Sequence, residues 1–405
     1  SHTVEVPDLS RGEGLPPTSQ TVELQHVSAT PGPVAPAAPP MAVPDVPEVS
    51  EAPEAPDVSD VPDVPAIPDD ADDFDVDVDD FASAAPEAAV PSVDAETAIF
   101  GIDLGTSYSS IALVVGDQLL VLHDADGQTL LPSAVCYPER GAPVVGWAAR
   151  EKQLMHPTTT FVSPKRLLGR RQDDPAVASI MGQSPLKLSA GPAGQIIADV
   201  YGDPVSMPQV CAEILKRLAD LAEEAVGVRA RRVVLSAPVG YGVERQAIER
   251  AATVAGLEVM GMLMEPYAAA ISYGLGKRDQ TVAVFDFGGG TLDITLLKIE
   301  GGQFHVLAEA GDPWLGGDDF DLAIAGWVAD RFHQERKVEL RNRAVEWQRL
   351  LFLCERAKRK LSFERKTRIE AKGIVLSIKG AIDLSVELTR EQLEMLAQPL
   401  VERAI

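Results

Sequence analysis

Two stretches of this chain carry the same order of apolar and polar positions. Ile99-Phe100-Gly101-Ile102 is an apolar run that ends in Asp103-Leu104-Gly105-Thr106-Ser107 and resumes as Ser109–Val115, rich in β-branched and aliphatic residues. The pattern predicts a strand, a tight polar turn and a returning strand. It comes back later as Thr281–Phe285, the turn Asp286-Phe287-Gly288-Gly289-Gly290-Thr291, and Leu292–Ile299. Asp103 corresponds to Asp286, and Gly105 to Gly288. One hairpin present twice predicts duplicated lobes facing a central cleft. Further on, Trp347, Leu350, Leu351, Cys354 and Leu361 recur at helical spacing as a packing stripe. Glu355, Lys358, Arg359 and Ser362 fall at i, i+3, i+4 and i+7 and share another face of the same helix. Glu265 stands before Pro266, a helix-start pattern, and Glu391–Ala404 reads as a helix.

Before Thr97 no such periodicity exists. Residues 1–97 hold 17 of the 31 prolines, and 22 acidic side chains against Arg11 alone, a net of -21. The remaining residues, 98–405, hold 39 acidic and 35 basic side chains, a net of -4, so the overall -25 belongs almost wholly to the leader. Such a segment has too little apolar surface to offset its ordering entropy, and disorder is expected. Between Pro44 and Asp70 it repeats every three residues, as in Pro44-Asp45-Val46 and Pro62-Asp63-Val64. In polyproline II that period lines the carboxylates along one edge. The strip reads either as a docking site for a basic partner or as a solubilising spacer. Asp69–Asp80, with Phe74, Val76 and Val78, is a candidate interaction motif.

Composition narrows the functional classes. An acidic chain without clustered Lys and Arg is a poor generic nucleic-acid binder. No apolar run approaches bilayer length and no leader of secretory type opens the chain, so the expectation is a soluble cytoplasmic protein with no membrane or nucleic-acid partner. Cys136, Cys211 and Cys354 show no CxxC spacing and suit a reducing compartment. No cluster of His, Cys or carboxylates points to a protein-bound transition metal, and His305, in a strand-like run, reads as structural.

The chemistry of the hairpins fits a nucleoside triphosphate. Glycines let backbone N–H groups approach phosphate oxygens, and Thr or Ser hydroxyls add donors. An aspartate at each strand end, Asp103 and Asp286, can hold a hydrated Mg²⁺ between the lobes. Competing nucleotide motifs are absent: Gly274-Leu275-Gly276-Lys277 lacks the upstream glycine of a P-loop, and no GxGxxG follows a strand.

On these residues the chain resembles the heat-shock protein 70 chaperones, within the wider actin and sugar-kinase fold. The likeness covers nearly all of residues 98–405. Ile102–Ser109 is similar to the family's first phosphate hairpin, and Pro157–Arg170 to the stretch bearing its essential lysine, here Lys165. Val233–Pro238, Arg245-Gln246, Ala255-Gly256-Leu257 and Glu265–Ala270 are similar to its lobe-connecting region. Asp286–Asp293 is similar to the second hairpin, Leu315–Asp321 to its downstream signature, and Cys354–Ser362 to the adenosine helix, which actins and sugar kinases lack.

The resemblance implies an α/β, duplicated actin-like ATPase fold. Its first lobe spans 98–277 with an inserted subdomain at about 137–207, and its second spans 278–405. It also implies the ligands: ATP or ADP, Mg²⁺ and, as a further cation, K⁺. Lys165, Glu265, Asp286, Thr291 and Asp103 would be catalytic, with Asp103 and Asp286 positioning the Mg²⁺ water shell. Gly105, Thr106, Ser107, Tyr108, Gly288, Gly289, Gly290, Gly316 and Gly317 would line the phosphates. Glu355 and Lys358 would lie near the ribose, Arg359 would stack on the base and Ser362 would bond it. Pro238 and Arg245 match relay positions toward a peptide-binding domain.

Three departures stand out. The Val239–Glu244 loop is one residue short and lacks an Asn-Asp pair, Ser107 replaces a threonine, and Pro313-Trp314 replaces Thr-His. In the family, a strand closing the adenine pocket, a crossing helix and the peptide-binding domain follow the region where this sequence ends at Ile405, so the second lobe is expected to be incomplete here. The leading expectation is an ATP-hydrolysing module of a chaperone acting with unfolded clients and co-chaperones. The alternatives are a catalytically weak, nucleotide-gated scaffold recruiting a basic partner through its tail, and an actin-fold kinase of a small substrate, against which the adenosine helix argues.

Overall fold

The computed structural model describes residues 93–405, apart from 117, 240, 241, 277, 378 and 379. The first half opens with β1 (Ile99–Leu104), β2 (Tyr108–Val115) and β3 (Gln118–Val121). A stretch of short elements follows: β4 (Leu131–Pro132), β5 (Ala134–Cys136), β6 (Val144–Val145), α1 (Trp147–Lys152), β7 (Thr160–Val162) and a 3₁₀ turn, Pro164–Leu167. Next come α2 (Pro175–Gln183), β8 (Lys187–Ala190), β9 (Ile196–Val200) and β10 (Asp203–Ser206). The half closes with α3 (Met207–Val226), β11 (Arg232–Ala237), α4 (Gly242–Ala255), β12 (Glu258–Met264) and α5 (Glu265–Ser272).

The main sheet runs β12-β11-β1-β2-β3, with β4 paired to β2. β1 lies parallel to β11 and antiparallel to β2, so the β1–β2 turn projects from the sheet's centre. Strict alternation along β1 sends Phe100, Ile102 and Leu104 into the core and leaves Asp103 on the other face. Those side chains pack with Ile111, Ile214, Leu218, Val233, Leu235 and Ile248 from β2, α3, β11 and α4. Each such fully buried side chain contributes about 1.5–3 kcal/mol. α3 starts where Gln209 accepts the Ser206 N–H at 2.8 Å, and it ends at Gly227 with φ 73°. Two smaller sheets, β6-β5-β7 and β10-β9-β8, lie between β4 and α3 in the chain.

The second half begins with β13 (Gln280–Phe287), β14 (Leu292–Glu300) and β15 (Gln303–Asp312), an antiparallel meander. α6 (Gly317–Arg336), α7 (Ala344–Lys360), β16 (Lys366–Ser377), β17 (Gly380–Thr389) and α8 (Arg390–Ala404) follow. Tyr267 of α5 packs with Leu297, Ile299 and Phe304 under the meander. Trp347, Leu350, Cys354 and Leu361 are buried against Val328, Phe332, Ile369 and Leu388, with Leu351 packed at their margin. The helical stripe therefore forms as its spacing predicts.

Two details differ from the sequence pattern, and a third, at Lys165, is one that no spacing specified. Asp286 and Phe287 belong to β13 and not to the turn, because pairing continues through Asp286↔Asp293 and Phe287↔Leu292. Lys165 lies in a 3₁₀ turn that follows Ser163 at φ 51°. α7 stops at Lys360, because the Arg390 guanidinium takes the Leu361 carbonyl at 2.7 and 2.9 Å, so Ser362 sits in a turn beyond the helix. Ordered structure is already present at Val93, which packs on the first core, and at Asp94, whose carboxylate accepts the Thr97 hydroxyl at 2.7 Å. The acidic strip and the Asp69–Asp80 motif lie outside the described residues. Among those residues no helix is long and apolar enough to cross a membrane, and all three cysteines are free and buried.

Candidate functional site

The two hairpin turns meet each other. The second turn is closed by the Gly288 N–H on the Thr291 carbonyl at 3.0 Å, and it is fastened to the start of α6. There the Gly317 N–H reaches the Gly288 carbonyl at 3.0 Å, and the Asp318 N–H reaches that of Gly289 at 2.8 Å. Glycine is required here by close approach. A Cβ on Gly290 would lie 2.7 Å from Cγ of Arg166 and 2.8 Å from Cγ2 of Thr106. One on Gly289 would strike the Ser107 hydroxyl, and one on Gly316 would strike the Gly289–Gly290 backbone. In the first turn, a Cβ on Gly105 would strike the Tyr108 carbonyl. Ser133 donates to the Gly105 carbonyl at 2.8 Å and holds that turn in place. The result is a backbone cradle with Thr106, Ser107 and Thr291 at its rim, the donor set that a phosphate chain needs.

Beside the cradle sits a buried lysine among carboxylates. Lys165 Nζ donates to Glu265 Oε1 at 2.7 Å, and the two side chains are 9% and 19% exposed. Glu265 is the first residue of α5, so it is both a helix N-terminal carboxylate and the partner of Lys165. Burial works to lower the affinity of Lys165 for its proton, but Glu265, with Glu244 and Asp103 behind it, outweighs burial and raises it above the ordinary lysine value. Lys165 is therefore a fixed cation. Burial pushes Asp286 up from the usual carboxylate range, helped by Asp293 and Asp103 and opposed by Lys165. Burial likewise raises Asp293, against a hydrogen bond from the Thr291 hydroxyl. Asp103 accepts the Ser236 hydroxyl at 2.5 Å. Asp286 and Asp293 stand directly opposite on paired strands, an arrangement that repels unless a cation joins it.

A cavity lined by Thr106, Lys165, Pro238, Glu244, Glu265, Thr291 and Asp293 joins these groups, and a second, lined by Asp286 and Thr295, shares Pro238, Glu265 and Asp293 with it. Among the described residues no three His, Cys, Asp or Glu side chains approach closely enough to ligate a metal directly. The donors fit a cation carried in its own water shell.

Sequence reasoning passed over Asp293, Glu244 and Arg166. Asp293 lies inside the motif already quoted, and the register that sets it against Asp286 is the signal that finds it. Glu244 is a buried carboxylate at the start of α4, raised by burial and opposed by Lys165 and Arg170; no local pattern marks it. Arg166 bonds the Asp319 carboxylate at 3.3 Å and pairs with Asp318 at 3.6 Å. It lies 6.0 Å from the Trp314 ring, which Arg170 flanks at 5.2 Å. The Pro313-Trp314 departure is thus the place where the second half sets a ring against two arginines of the first.

The α7 face lies across the same cleft. Glu355 pairs with Arg150 of α1, and Gln153 bonds Gln348 at 2.8 Å beside it. Lys358 Nζ donates to the Gly317 carbonyl at 2.7 Å and to Asp321 at 2.9 Å. Burial raises Asp321 to about 7 despite that lysine. Arg359 donates to the Tyr108 hydroxyl at 2.7 Å, with its guanidinium 5.7 Å from the ring centre. Ser362 is exposed, next to Arg359 through a 3.1 Å backbone bond. Tyr108 and Arg359 are thereby brought together from opposite lobes.

The family model described as Hsp70 protein matches residues 99–405. The chain belongs to the Hsp70 family. Its α/β halves are the two lobes of the Hsp70 actin-like ATPase fold, and the described residues form a nucleotide-binding domain of chaperone type. Hsp70 domains in general bind ATP or ADP with a divalent metal, and the family in general works with clients and co-chaperones. The cradle of this Hsp70 domain and its opposed carboxylates suit that chemistry.

Proposed function

We propose that this domain binds Mg²⁺-ATP in the cleft and hydrolyses it, as the motor of a chaperone that assists protein folding. The observation that carries the reading is the buried Lys165–Glu265 pair, 2.7 Å apart, set against a cradle made by two glycine-rich hairpins. ATP, when bound with Mg²⁺, supplies the phosphoanhydride whose terminal phosphoryl group passes to water. The chain's own residues do the rest. Backbone N–H groups of both turns, with Thr106, Ser107 and Thr291, bind and orient the phosphates. Lys165 stabilises negative charge that develops during transfer, because its proton is held firmly. Asp103, Asp286 and Asp293 would hold the hydrated cation, which would offset charge on the phosphates. Asp286 also orients the attacking water, which gives up its proton as the phosphoryl group is transferred, and Glu265 keeps the lysine aimed.

Glu355 and Lys358 would face the ribose, and Arg359 with Ser362 the base; K⁺ would occupy a further cation position. Pro238 lines both cavities, which supports a relay of nucleotide state toward clients and co-chaperones. The experiment follows γ-labelled ATP with Mg²⁺ and the whole protein. Inorganic phosphate as product is expected. Label retained on tightly bound ATP would favour the nucleotide-gated scaffold, with the acidic tail as its recruiting arm for a basic partner. Label on a sugar hydroxyl would favour a kinase. A cytoplasmic site of action belongs to the same proposal, and fractionation of cells tests it.

A further inference from the structure

In α1, Trp147 and Arg150 stand three residues apart, on one face of the helix. Arg150 reaches Glu355 of α7. Trp147 lies against Tyr108, with ring centroids 6.0 Å apart and planes tilted by 50°. Tyr108 in turn carries Arg359 of α7, by a 2.7 Å hydrogen bond and a guanidinium 5.7 Å from its ring. The three side chains form a continuous tier from the first lobe to the second: indole, phenol, guanidinium.

Trp147 is 40% exposed, and it belongs to none of the four hydrophobic clusters of the described residues. A ring this exposed uses only part of its surface for packing, and its aromatic partner is Tyr108. A planar guanidinium offers a face to an aromatic base only if its long side chain is held in one rotamer. Tyr108 holds Arg359 through a single bond and a single ring face, so the orientation of Tyr108 sets that of Arg359.

We infer that Trp147 is a positioning residue for the nucleotide base: it braces Tyr108, which presents the Arg359 guanidinium to a stacked aromatic base. The brace needs both lobes together, since Trp147 and Tyr108 come from one and Arg359 from the other. Base retention is therefore tied to closure of the cleft. The inference rests on nucleotide binding at this site and not on hydrolysis.

The test is release of radiolabelled ADP from the whole protein into an unlabelled chase. Trp147→Ala is expected to speed release about three- to tenfold, the size of a lost aromatic contact. Trp147→Phe, which keeps a ring, is expected to restore most of the lost retention. In an Arg359→Ala background the Trp147→Ala change is expected to add little, because the brace then holds nothing. Release at the unsubstituted rate from Trp147→Ala would overturn the inference, and so would an effect of equal size with Arg359 present or removed. Failure of the unsubstituted protein to retain ADP at all would overturn the nucleotide-binding reading, and this inference with it.

Discussion

Asp321 shows at the scale of one residue how burial sets chemistry. Its proton affinity rises to about 7, chiefly through burial and in spite of Lys358. A carboxyl raised in this way binds more protons folded than unfolded between its ordinary value of 3.8 and about 7. Its contribution to stability is present at low pH and is lost as pH rises through that window. Replacing it with Asn removes the titration. Thermal unfolding across pH 5 to 8 is expected to show the unsubstituted protein losing roughly 2 kcal/mol relative to Asp321→Asn. Parallel curves for the two proteins would contradict this. The residues that escaped the sequence share a cause. Glu244 and Arg166 owe their importance to neighbours remote along the chain, Lys165 in one case and Asp318 and Asp319 in the other, and no local spacing encodes those approaches.

Elements were more legible than sites. The two hairpins are readable because strand alternation and the polar turn are local patterns, and the α7 stripe because its period is that of the helix. What the pattern could not give was where an element stops. Ser362 has helical spacing from Glu355, yet Arg390, nearly thirty residues on, takes the Leu361 carbonyl and ends α7 before it. Likewise the second turn is shorter than its polar run suggests, because Asp286 and Asp293 still pair as strand. The contact between the second hairpin and the start of α6 is the most exacting junction, since a Cβ on Gly316 meets the Gly289–Gly290 backbone. Gly316→Ala is expected to displace the second turn and weaken ATP binding about tenfold or more, the scale of a backbone shift at a positioned ligand. Isothermal titration with ATP checks it, and unchanged affinity would show that the turn yields freely.

The charge of -25 divides sharply across the whole molecule. Residues 98–405 carry -4 of it, because their 39 acids are nearly matched by 35 basic side chains, and five of those acids, Asp103, Asp286, Asp293, Glu244 and Glu265, gather near Lys165. Removal of residues 1–92 is expected to leave ATP affinity within about twofold, because every residue of the candidate site and of the described cores lies at or after Val93. A large loss would show that the leader folds onto the domain. Both lobes supply the candidate site, Lys165 and Glu265 from one and Asp286 and Thr291 from the other, so the proposed hydrolysis would require them to close over the nucleotide. Single-turnover hydrolysis, with the unsubstituted protein and Lys165→Ala each preloaded with Mg²⁺-ATP, tests that claim most directly. The account predicts phosphate formation by the first and a loss of about a hundredfold or more in the second, with ATP still bound, as when a fixed charge-stabilising group is removed. Equal rates for the two proteins, or no phosphate from either, would contradict it.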